Sequence, residues 1–88
     1  MTVKEFWDSI LGRHLEHGQG NDLIVPDYLA ISIRRYGNDP GTTFDSGSIV
    51  KTLERRLEAQ GNHGTKTTRI AVNWDDIQSI TFAYKAAI

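Results

Sequence analysis

No cysteine occurs among the 88 residues. Disulfide bonds, thiolate nucleophiles and cysteine-ligated zinc are therefore excluded. A chain that needs no disulfides suits a reducing compartment. No run approaches the ~20 apolar residues that span a bilayer. Glu5 and Asp8 interrupt the N-terminal stretch where a secretory signal would carry its apolar core. These absences predict a cytoplasmic protein with no membrane partner. An excess of one charge is missing too. Ten Lys and Arg against eleven Asp and Glu leave a net charge of −1. That excludes general coating of nucleic acid but leaves room for a local basic patch. With only three histidines and no cysteine, acid–base and nucleophilic chemistry have few candidate players. The expectation is a protein that is not an enzyme and holds no cofactor.

What is present points to one globular domain, residues 1–88. Hydrophobic residues make up 39% of the chain, enough for a core. A chain this short buries only about 60–65% of its unfolded surface, so that core is thin.

The clearest element is an N-terminal helix. Thr2 and Glu5 have the spacing of a capping box, and Met1 and Phe6 flank it at staple positions. Val3, Phe6, Trp7, Ile10 and Leu11 fall on one helical stripe, opposite Lys4, Glu5, Asp8, Ser9 and Glu16. Gly18 is the expected stop. In residues 28–36, Leu29, Ile31 and Ile33 alternate with Tyr28, Ala30, Ser32, Arg34 and Tyr36, which predicts a strand. A helical reading of the same stretch groups Tyr28, Leu29, Ser32, Ile33 and Tyr36 but strands Ile31. Residues 37–48 are rich in turn formers. A second helix is expected from Asp45 as N-cap to Gly61, with Ile49, Val50, Leu53 and Leu57 as its apolar stripe. Two strands close the chain. Ile70, Val72 and Trp74 alternate in the first, and Ile80, Phe82 and Tyr84 in the second, with Asp75-Asp76 between them.

The expected fold is α+β, a small two-layer sandwich in the order α-β-α-β-β. Its antiparallel sheet would carry both helices on one face. The alternative, with residues 26–36 helical, is a winged-helix-like α-α-α-β-β order. Lys51, Arg55 and Arg56 would then lie on a helix suited to a major groove.

Three groups of residues could carry function. His14 and His17 are three apart, and His63 is the third imidazole. They are weak metal candidates, because the spacing matches no specific zinc motif. A helix C-terminus explains the first two, which favour its dipole. His14 falls within the apolar stripe and reads as a side chain turned inward. Asp75-Asp76 reads as a turn. Asp45-Ser46-Gly47-Ser48 reads as a cap, since the lysine of a phosphate loop is missing. The third group is the far face of the sheet. It would display Tyr28, Ser32, Arg34, Tyr36, Arg69, Asn73, Thr81 and Lys85, three cations with no carboxylate. Tyrosine and arginine are enriched at binding hot spots and also suit base stacking.

These patterns predict a small regulatory protein that binds and occludes a macromolecular partner through Tyr28, Arg34, Tyr36, Arg69, Asn73 and Lys85, or through an exposed strand edge. A protein partner, as for an inhibitor, is the first expectation, nucleic acid the alternative, and a metal- or nucleotide-dependent enzyme the second alternative. Phage and mobile-element accessory proteins often have this size, which is an association of size alone. Phe6, Trp7 and His14 on one helix over a thin core also predict a homodimer that closes the remaining apolar area.

Overall fold

The computed structural model describes residues 1–85 and shows one helix against eight strands. Helix α1 spans Val3–His14. Its capping box is complete. The Glu5 N–H donates to Thr2 Oγ1 at 3.1 Å, and the Thr2 N–H donates to Glu5 Oε1 at 3.2 Å. Strands follow as β1 (Glu16–His17), β2 (Asp22–Ile24), β3 (Leu29–Arg35), β4 (Thr42–Phe44), β5 (Ile49–Thr52), β6 (Arg56–His63) and β7 (Lys66–Asn73). A 3-10 turn at Trp74–Asp76 leads to β8 (Ile77–Tyr84).

The strands form two antiparallel sheets, ordered β1-β2-β5-β6-β7 and β4-β3-β8. One core lies between them. Leu23, Val50, Leu57, Ala59 and Val72 come from the first sheet, and Leu29, Ile31, Ile33, Phe44, Ile77 and Ile80 from the second. The helix adds Leu11, and Trp74 fills the end. The chain changes sheets between β4 and β5. Gly47, at φ +88°, makes the bend there, a conformation that glycine adopts without a Cβ clash. Four backbone bonds tie this corner: Val25 N–H to Ser48 O, Gly47 N–H to Val25 O, Ser48 N–H to Asp45 O, and Asp45 N–H to Asn62 O.

This architecture overturns the single sheet with two helices on one face, and equally the three-helix winged alternative. The expected second helix is the strand pair β5–β6. Leu53, Leu57 and the intervening Glu and Arg suit a helix, but Ile49, Val50 and Thr52 are β-branched. Pairing decides between them: Val50 faces Leu23 on one side and Ala59 on the other. As strands, these residues bury Val50, Leu57 and Ala59 together, which the narrow helical stripe could not do. Asp45 therefore caps no helix. Its carboxylate accepts the Gly64 N–H at 2.9 Å and faces His63 Nδ1 at 3.2 Å.

Residues 29–35 form the strand that alternation predicts, with Leu29, Ile31 and Ile33 buried. The last two strands also form, but in different sheets. β7 pairs with β6, and β8 pairs with β3. The helix stops at His14, four residues before Gly18. Leu15 turns extended and buries its side chain, and Glu16–His17 pair with β2.

Three carboxylates sit below their ordinary pKa because backbone N–H groups favour the charged form. The Thr2 N–H and hydroxyl lower Glu5. The Arg35 and Gly41 N–H groups lower Asp39. The Gly64 N–H and then His63 lower Asp45. A depressed folded pKa adds stability that is complete above the unfolded value, here 3.8 for Asp and 4.5 for Glu. It is lost as pH falls through the folded values. Urea midpoints should therefore hold steady from neutrality to about pH 5 and drop below it. Asp45→Asn should shallow that drop; an identical acid limb in the variant would remove Asp45 from this account.

Candidate partner-binding surface

The amphipathic stripe of α1 is only half used. Leu11 is buried, Trp7 is half-buried against the core, and Ile10 is half-buried. At the start of the helix, Met1 is 94% exposed, Val3 41% and Phe6 47%. Tyr36, just past β3, is 65% exposed. These side chains line one open groove of about 390 Å³, floored by Trp7, Trp74 and Ile77. Two elements build it. The capping box fixes where the helix begins, and its first turn places Val3 and Phe6 on one wall. The 3-10 turn brings up the other wall, since Tyr36 N–H donates to Asp76 O at 3.0 Å. The Trp74 indole N–H donates to Leu53 O at 2.8 Å, which locks the floor against the β5–β6 turn. Phe6 and Trp7 meet edge to face, with ring centroids 5.0 Å apart. Asp75 and Gln78 are among its polar lining residues.

The helix stripe pointed to these residues, but as core. What sequence reasoning missed is that the stripe outruns the sheet beneath it. The one usable signal was the excess of Phe6, Trp7 and His14 over what a thin core can cover.

The expected Tyr/Arg face does not assemble on one sheet. Arg34 lies on the outer side of β3, opposite Ser79 of β8. Arg69 and Asn73 lie on the outer side of β7, in the other sheet, opposite Gln60 and Arg56. Tyr36 belongs to the groove. Tyr28 and Lys85 come together at the other end of β3. The Lys85 N–H donates to Tyr28 O at 2.8 Å, and Tyr28 stacks on Tyr84 at 6.0 Å. Ser32 hydrogen-bonds Thr43 at 2.9 Å across the outer face of the three-stranded sheet, where Thr81 also sits.

No helix carries Lys51, Arg55 and Arg56. Lys51 is on β5 opposite Glu58, Arg55 is in a turn, and Arg56 Nε contacts Glu58 Oε2 at 2.7 Å. Arg55 and Arg56 do line a second, more polar groove with Lys4 and Asn73, but Glu5, Glu54 and Asp75 share it.

The histidines are apart. His14 stacks on Phe82, centroids 4.2 Å apart, and its Nδ1 hydrogen-bonds the Tyr84 hydroxyl. His17 is exposed on β1, and His63 faces Asp45. Among the described residues, no three His, Cys, Asp or Glu side chains converge to hold a metal. No helix among them is long and apolar enough to cross a membrane.

Comparison with protein-family models, with curated proteins and with solved structures finds no match to this chain.

Proposed function

We propose that this protein is a non-enzymatic interaction domain that binds and occludes a partner protein through the groove of Met1, Val3, Phe6 and Tyr36. One observation carries this reading: a capped amphipathic helix leaves the first half of its apolar stripe exposed over a formed, tryptophan-floored cleft. Contiguous apolar surface of this kind is costly to leave in water and marks interaction sites. Aromatic side chains in a desolvated pocket are the usual anchors of such a contact. The partner presents apolar side chains to the groove and hydrogen-bond donors to Asp75 and Gln78. The thin core of so short a chain also favours self-association as a homodimer, working in the cytoplasm.

Affinity capture from a host lysate with the wild type and a Phe6→Ser/Tyr36→Ser variant tests the groove. Both wild-type residues are largely exposed, so the variant should keep a cooperative melt and lose the captured protein. An Arg34→Ala/Arg69→Ala variant should still capture it, because those residues sit on separate sheets. Capture unchanged by the Phe6/Tyr36 substitutions would sink the groove reading. If the retained material were nucleic acid released steeply by salt, a phosphate-binding regulator would replace it.

A further inference from the structure

Among the described residues, the outer backbone edge of β8 has no partner. The Lys85 N–H donates to Tyr28 O, and the register runs Leu29↔Tyr84, Ile31↔Phe82, Ile33↔Ile80. Bonded pairs alternate along an antiparallel ladder. Ala83, Thr81 and Ser79 therefore direct their N–H and C=O groups toward β3. Those of Ile80, Phe82 and Tyr84 point the other way. Among the described residues, no backbone or side-chain group bonds to them. The helix lies over this strand's inner side chains, with His14 on Phe82, but supplies no bond to its backbone.

The other edges are protected. β1 has two residues and β4 three. β7 is long, but it carries Lys66 and Arg69. The Trp74 N–H to Arg55 O bond sets its alternation, so Ala71 C=O faces outward, and the Arg35 guanidinium takes it at 3.4 Å. β8 reads IQSITFAY, eight residues with no charge, no proline and no glycine. Exposed edges of that composition template pairing with another strand.

We infer that β8 pairs antiparallel with β8 of a second copy, joining two three-stranded sheets into one. The strand complements itself. About a two-fold axis, Phe82 meets Phe82 and Ile80 meets Tyr84 as bonded pairs. Thr81 and Ala83 fall opposite each other on the outer face. No like charges meet, which would weaken cross-strand pairing. Pairing with β7 instead would displace the Arg35 bond. A two-fold contact is also the commonest closed arrangement of identical chains. The inference rests on the reading of this domain as self-associating and locates that contact.

Sedimentation equilibrium of the intact chain tests it across the micromolar range. The samples are the wild type, Thr81→Lys/Ala83→Lys, Thr81→Glu/Ala83→Glu, and a mixture of the two variants. Both positions are exposed and keep their N–H bonds to β3, so the monomer fold should survive. The wild type should be a dimer. Each variant alone should associate on the order of tenfold more weakly or worse, and the mixture should recover a heterodimer. Wild-type hydrogen exchange adds a readout free of mutation. The Ile80, Phe82 and Tyr84 amides should gain protection with concentration. A monomeric wild type would overturn self-association and the edge assignment together. Wild-type-like dimers from both variants, or three amides that exchange alike at all concentrations, would overturn the edge assignment and leave self-association standing.

Discussion

Trp74→Ala is expected to cost about 3–5 kcal/mol, the range for emptying a buried aromatic site. That corresponds to a fall in Tm on the order of 20 °C for a domain of this size. Two losses combine. The indole is buried at the junction of helix, 3-10 turn and both sheets, so its removal leaves a cavity that those elements cannot all close. Its N–H also satisfies Leu53 O in the β5–β6 turn at 2.8 Å. Trp74→Phe separates the two. It keeps a six-membered ring in the site, but loses the hydrogen bond to Leu53 O and part of the indole volume, for about 1–3 kcal/mol. Urea unfolding of the three proteins measures both. If Trp74→Phe cost as much as Trp74→Ala, the hydrogen bond rather than packing would hold this corner. Trp74 also floors the groove. Trp74→Ala should therefore weaken partner capture even at temperatures where the variant stays folded.

Gly61→Ala is expected to be of similar size, at least about 3 kcal/mol, the upper range for overpacking. A Cβ at Gly61 would stand 1.9 Å from Ser48 Oγ, 2.4 Å from Ser48 Cβ and 2.8 Å from Ser48 Cα. The last distance matters most. Trimming Ser48 removes the first two contacts but not the third, so β6 must move away from the corner before β5. Gly61 is needed here for close approach. A double-mutant cycle with Ser48→Gly should recover part of the loss and leave the rest. Ser48 has a second consequence. Its buried hydroxyl has no hydrogen-bond partner among the described residues. Ser48→Ala alone should therefore be neutral or stabilising by about 1 kcal/mol. Chemical denaturation reads all four variants. A Gly61→Ala protein within 1 kcal/mol of wild type would mean that this corner yields easily.

The capping box was legible because its bonds are local. Thr2 and Glu5 satisfy each other across one turn, whatever the rest of the chain does. The strand at 29–35 was legible because Leu-x-Ile-x-Ile fits a pleat and splits across a helix. The stretch from Ile49 to Gln60 was not. Its composition supports either state, and only the partners on each side, Leu23 and Ile70, make the strand form the one that buries Val50 and Ala59. The Tyr/Arg face failed for the same reason. Alternation identified the outward residues of β3 and β7 but said nothing about whether those strands share a sheet.

The sequence by itself determined the start of the helix, the pleat of β3, β7 and β8, and the absence of thiol chemistry. Each follows from neighbours a few residues apart, or from composition. Tertiary structure alone decided that Asp45 to Gly61 is a sheet corner and hairpin, that the last two strands part into separate sheets, and that half the helix stripe stays open. Those outcomes depend on contacts between distant segments. Loop closure, shared burial and the geometry of two packed layers set their energies, and no local pattern encodes them.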